Sequence, residues 1–274
     1  MMRNSIIIAL LASAFAIASC KKKGCTDPTA TNYSLEATKD DGSCTYAAPA
    51  EETGKVTVAL NHYWVNESTA FQLETQYVHP TTNDTLTFTT FKYFISNFRL
   101  KKEDGSLWTH PESYFLLDAS IPSSMVLNIS NVPSGTYTEM RYTMGVDSIR
   151  NVSGAQTGVL SAINGMFWSW NSGYIMIKAE GMSPNSPSED FVLHLGGFKG
   201  DYNVVTVKTS NFGGEPLNVS ASATPQIHFI ANPARFWHTN PSVSSLNKIH
   251  MPGAEAKQAA IDFYDGIFFD HIHP

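Results

Sequence analysis

From Lys55 onward, apolar and polar residues alternate with the two-residue period of half-buried strands. Val56, Val58, Leu60, His62 and Trp64 share one parity; Thr57, Ala59 and Asn61 share the other. The pattern places His62 on the apolar face of a first strand. Further strands are predicted over 71–77, 86–90, 91–100, 113–117, 125–129, 137–144, 174–179, 191–195, 204–209 and 217–223. Turn residues separate them, among them Glu103-Asp104-Gly105, Pro133-Ser134-Gly135, Gly181-Met182-Ser183-Pro184 and Gly213-Gly214. Many short strands punctuated in this way predict a mainly β chain, folded as an antiparallel β-sandwich. Near the end the period changes. Ala256, Ala259, Ala260, Phe263 and Ile267 form a stripe at helical spacing, which predicts one C-terminal helix from Ala254 to about Phe268, after the breaker Pro252-Gly253.

The first residues obey a different rule. A short charged start, Met1-Met2-Arg3-Asn4, leads into an apolar run from Ile6 to Ile17, too short for a finished membrane span and suited to a secretory leader. Ile17-Ala18-Ser19-Cys20 resembles a bacterial lipobox. That resemblance implies a lipoprotein signal peptide over 1–19, lipidation of Cys20, and a membrane-anchored protein at the outer membrane or cell surface. An ordinary secretion signal with a chance cysteine is the other reading. Cys25 and Cys44 remain, and two thiols in an exported chain most simply form one disulfide. Residues 20–53 therefore read as a lipid-anchored linker with a small disulfide module, and 54–274 as the sandwich domain. The cysteine-bracketed segment resembles a repeat of bacterial surface proteins. Asp40, Asp41 and the Ser43 hydroxyl offer clustered oxygens suited to calcium, although an Asp-Gly turn in a spacer accounts for the same residues.

Composition narrows the function. The formal net charge is -6, and only Lys21-Lys22-Lys23 make a basic run, which argues against a nucleic-acid partner. No second apolar run reaches membrane-spanning length. Asp118, Asp147, Glu180, Asp190 and Asp201 mostly fall at predicted strand ends and turns, and no nucleophile elbow, His-Glu-x-x-His or phosphate loop occurs. The chain therefore reads as no enzyme. A carbohydrate-binding or adhesive lipoprotein is the alternative, with Trp108, Trp237 and Tyr202 as a stacking platform.

The nine histidines are the remaining chemistry. His62, His194 and His228 lie in apolar strand contexts, where a single imidazole is commonly a hydrogen-bonded core residue. His271 and His273 form a His-x-His pair. In an extended segment both rings leave one side, as two ligands of one ion must; in a loose tail they would not. With no thiol left over, a set of imidazoles suits copper, and zinc as well. Between Gly165 and Tyr174 the chain packs Phe167, Trp168 and Trp170 beside Met166. Ser169 puts both indoles on one side if the segment is extended. Such rings serve a core equally well, but beside a redox metal they would be oxidisable.

Gly165-Met166-Phe167-Trp168-Ser169-Trp170-Asn171-Ser172-Gly173-Tyr174, with Glu180-Gly181 and His194-Leu195-Gly196, resembles the MbnP-like family of copper-binding proteins. Tyr93 to Leu100, Gly135-Thr136-Tyr137, Met144 to Asp147 and Asn151 fit the same pattern, so the resemblance runs from about Val56 to His273. It implies an extracytoplasmic sandwich that binds copper through histidines, in acquisition, storage or handover. It also implies that a tryptophan near the metal, Trp168 or Trp170 here, is converted to kynurenine by a di-haem, peroxidase-like partner. His62 and His194 are then the leading ligands, with His228, His271 and His273 behind them.

Overall fold

The computed structural model describes residues 21–154, 156–169, 172–239 and 242–274. The residues expected to form a leader, together with Cys20 and Trp170, lie outside the described residues. The chain divides into two compact units, Met1–Ala50 and Glu51–Pro274.

In the first unit Cys25 and Cys44 form a disulfide, closing a loop of sequence separation 19. The strands Lys23–Gly24 and Lys39–Asp40 pair beside it. So small a unit has little core of its own, and the covalent link restricts its unfolded chain. Asp40 Oδ1 accepts from Gly42 N and Asp41 Oδ1 from Ser43 N, both at 3.0 Å. These carboxylates are engaged in the turn itself, and nothing in the arrangement supports calcium there.

The second unit is a β-sandwich built on eight principal strands: β1 (Thr53–His62), β2 (Thr85–Lys102), β3 (Val126–Pro133), β4 (Gly135–Met144), β5 (Gly173–Met182), β6 (Asp190–Gly196), β7 (Gln226–Ala231) and β8 (Ile267–His273). One sheet runs in the order Thr206–Ser210, β4, β2, β5, β6, Lys248–Ile249, with short strands paired along β2, β4 and β5. The other runs β8, β7, β1, β3. Most pairings are antiparallel. β7 on β1 and Lys248–Ile249 on β6 are parallel, because the chain returns to each through a long excursion rather than a hairpin.

The mainly β sandwich with a C-terminal helix follows the sequence expectation, while several boundaries differ. The stretches 86–90 and 91–100 form one strand of 18 residues, bent by register shifts instead of a turn. The segment 71–77 is mostly irregular, and only Gln76–Val78 pairs. The helix α1 spans Ala254–Asp265 and stops at Gly266, so Ile267 opens β8 instead of closing the stripe.

The core lies between the sheets. Phe88, Phe91 and Tyr93 of β2 are fully buried in one cluster with Val58 and Leu60 of β1, Phe229 of β7, and Phe263 of α1. Phe91 alone touches the rings of His62, Phe71, Tyr93, Phe236 and Phe263 at centroid distances of 5.1 to 5.9 Å. Edge-on aromatic packing of this kind adds to the stabilisation from area burial. Trp237 is in this core at 2% exposure and donates to Leu246 O. It cannot join Trp108 and Tyr202 in a surface platform, which removes the three-aromatic sugar face expected from the sequence.

Candidate metal centre

Strand register sorts the five candidate histidines into three places. Lys92 of β2, Lys178 of β5 and His194 of β6 stand opposite one another, as do Phe91, Ala179 and Leu193. Directly opposed residues share a sheet face, and neighbours along a strand alternate. The Phe91 row is the buried, inner one, so His194 faces outward. His62 packs on Phe91 and Tyr93 and therefore faces inward. A sheet separates the two, and the shared ion site expected of His62 and His194 does not form.

His62 has its Nε2 2.9 Å from the Tyr93 hydroxyl. Burial pushes its pKa down to about 4, which keeps the ring neutral. It is a partly buried, hydrogen-bonded imidazole on the inner face, as the plainer reading of the sequence allowed.

His194 is half-buried, and its Nε2 lies 2.7 Å from Glu180 Oε1. Burial lowers its pKa, against the pull of Glu180. For Glu180, burial opposes ionisation, yet the His194 bond and Lys178 bring its pKa below the ordinary value. The ring of His250 stands 5.6 Å from that of His194, edge to face. Trp168 lies across Gly196, two residues further along β6, where a Cβ would sit 2.5 Å from its ring. The sequence pointed to neither Glu180 nor His250 as a neighbour of His194. Glu180 has the outward parity of Lys178, which the alternation along β5 carries; the place of His250 depends on the distant parallel pairing of Lys248–Ile249.

The aromatic segment is held from behind. Asn151 is 1% exposed; its amide donates to Val146 O and Asp147 O, and its Oδ1 accepts from Tyr174 N. Gly173 sits at φ 73°, and a Cβ there would fall 2.2 Å from Asn151 Oδ1. Replacing Asn151 by alanine takes the side-chain partner from two buried backbone groups, Val146 O and Tyr174 N, while Asp147 O keeps the bond from the backbone N–H of residue 151. The expected loss is about 3 kcal/mol of stability, read by urea unfolding. A change below about 1 kcal/mol would show that these bonds hold little.

His228, His271 and His273 come together. One ligand nitrogen from each lies within 4.8 Å of the others. The rings of His228 and His271 stack at 4.4 Å and 7°, and His273 meets them edge-on at 5.1 and 4.7 Å. Ile227 and Phe229 point into the core, so His228 between them faces outward. The end of the chain is a paired strand, not a loose tail. His271 and His273, two residues apart, therefore share the face of His228. Between Ile227 and Phe229 there is one residue on β7, but between their partners Ile272 and Phe269 there are two on β8. This bulge sets both Asp270 and His271 opposite His228.

Three imidazoles with no thiolate form a donor set that fits copper. Nitrogens bound to one tetrahedral ion at about 2.0–2.1 Å would lie about 3.3 Å apart, so the rings need only close by side-chain rotation. Burial and the two neighbouring imidazoles lower the pKa of His228, which favours the neutral, ligating form.

No curated protein matches this chain. Among solved structures, MbnP from Methylosinus trichosporium aligns at 15% identity and a TM-score of 0.47, covering 74% of this chain and 83% of that one. The MbnP family matches residues 53–252. That range takes in His62, Trp168, His194 and His228, and stops short of His271 and His273. By that match, which extends over most of the sandwich, the chain belongs to the MbnP family.

Proposed function

We propose that this protein binds copper at the cell envelope and that His228, His271 and His273 hold the ion. The observation that carries the reading is the convergence of three imidazoles within 4.8 Å on one sheet face. Membership in the MbnP family supports a copper-related role and lends nothing to zinc or calcium. In this reading the protein is a carrier in copper acquisition, storage or handover rather than an enzyme. Lipid on Cys20 tethers it to the outer membrane or cell surface; oxidation of a tryptophan beside the metal, Trp168 or Trp170, by a di-haem partner belongs with the second reading below, because Trp168 lies across Gly196 near His194.

A second reading places the ion on the opposite face of the sandwich, between His194 and His250. The bond from His194 Nε2 to the Glu180 carboxylate favours it, since a ligating imidazole commonly donates from its other nitrogen to a carboxylate. Equilibrium dialysis of the purified full chain against copper separates the two. The first reading expects His194→Ala with His250→Ala to keep its copper and His271→Ala with His273→Ala to lose it. The reverse result would move the site to the His194 face. Equal retention by both variants would remove both sites.

A further inference from the structure

We propose that Gln226 and Asp270 fix which nitrogen two of these rings offer to an ion: Nδ1 from His228 and Nε2 from His271. The inference deepens the three-histidine reading and rests on it for its metal-binding consequence. A neutral imidazole has one N–H donor and one lone pair, and the partner of one nitrogen decides the role of the other. Asp270 Oδ2 lies 2.9 Å from His271 Nδ1. A carboxylate only accepts, so Nδ1 carries the hydrogen and Nε2 keeps its lone pair.

The same logic gives the opposite result at His228. Its Nε2 lies 2.9 Å from Gln226 Oε1, an amide oxygen that also only accepts. Nε2 therefore carries the hydrogen, and Nδ1 keeps the lone pair. Asn61 Nδ2 sits 3.3 Å from that Nδ1, a long contact that costs little to give up. His273 makes ring contacts with both neighbours and no side-chain hydrogen bond among the described residues, so its ring can turn to either nitrogen. Two of the three rings are thus set in advance, each donating from its non-ligating side to an oxygen. That is the arrangement by which outer partners orient metal-binding histidines.

The fold explains why these two residues can act. Gln226 is two positions from His228 on β7 and stands opposite His273 on β8. Asp270 reaches His271 next to the bulge, where β8 places two residues against His228. Without the extra residue, regular alternation would send Asp270 and His271 to opposite faces along an unbroken ladder.

The test uses ¹⁵N–¹H NMR of imidazole nitrogens in the full, metal-free chain at pH 8, followed by copper titration. The expected spectrum shows His271 protonated on Nδ1 and His228 on Nε2. Asp270→Ala should release the His271 tautomer and weaken copper binding by about 10–100-fold, and Gln226→Leu should do the same at His228. Asp270→Glu should recover part of the loss. Thermal melts of all variants should match the parent, since these groups are on the surface. His271 protonated on Nε2 in the parent, or alanine at position 270 with tautomer and affinity unchanged, would overturn the proposal. If the parent bound no copper, the three-histidine reading would fail, while the tautomers would still decide the hydrogen-bonding part.

Discussion

Replacing His228, His271 and His273 together by alanine is expected to leave a folded protein that no longer retains copper through dialysis. The three rings stand on the outward face of the smaller sheet, and the His271 side chain keeps 41% of its exposure. Surface substitutions of this kind usually change stability by no more than about 0.5 kcal/mol. The loss of copper would thus reflect lost ligands and not lost fold. Removing one imidazole should weaken retention and removing all three should abolish it, because no carboxylate is among the ligand atoms brought together there. His62→Gln is the control. Its ring is on the core side, bonded to Tyr93, and copper binding should not change. Elemental analysis of dialysed protein reads the result, and full retention by the triple variant would contradict it.

Acid should destabilise the sandwich through His62. Its folded pKa is about 4 against an ordinary value of 6.5. Above pH 6.5 the ring is neutral whether the chain is folded or not, and no stability is lost. Between pH 6.5 and 4 the unfolded chain takes a proton that the folded one refuses. Stability then falls as the pH drops, by up to about 3 kcal/mol from this residue, and the decline levels off below pH 4. His79, His194 and His228 are also lowered and act in the same direction, so the whole protein will show a larger slope. His62→Gln isolates the effect, because an amide can still pair with the Tyr93 hydroxyl but does not titrate in this range. Urea unfolding from pH 7 to pH 4 should lose clearly less stability in the variant. Identical slopes would show that the ring is not buried as a neutral group.

The strands were legible because their signal is local. Val56, Val58 and Leu60 alternate with the smaller Thr57 and Ala59 and point inward as that period requires. The helix was legible for the same reason, although its end was misplaced: Ile267 continues the stripe in sequence but is buried as the first residue of β8. Relations between strands were not legible. His62 and His194 each lie in an apolar context, and only the parity of their neighbours separates them: His62 shares the inward parity of Val56, Val58 and Leu60. In β6 the residues beside His194, Leu193 and Leu195, are the buried ones, so the apolar flanks mark the ring as outward. The His-x-His spacing was readable, and so was the apolar strand around His228. Their meeting depends on the β7–β8 pairing and its bulge, which no spacing in the sequence reveals.

X-ray absorption spectroscopy of the copper-loaded full chain tests the central claim most directly. The account predicts a first shell dominated by three imidazole nitrogens, which disappears in the triple alanine variant. A spectrum left unchanged by that triple substitution would contradict it.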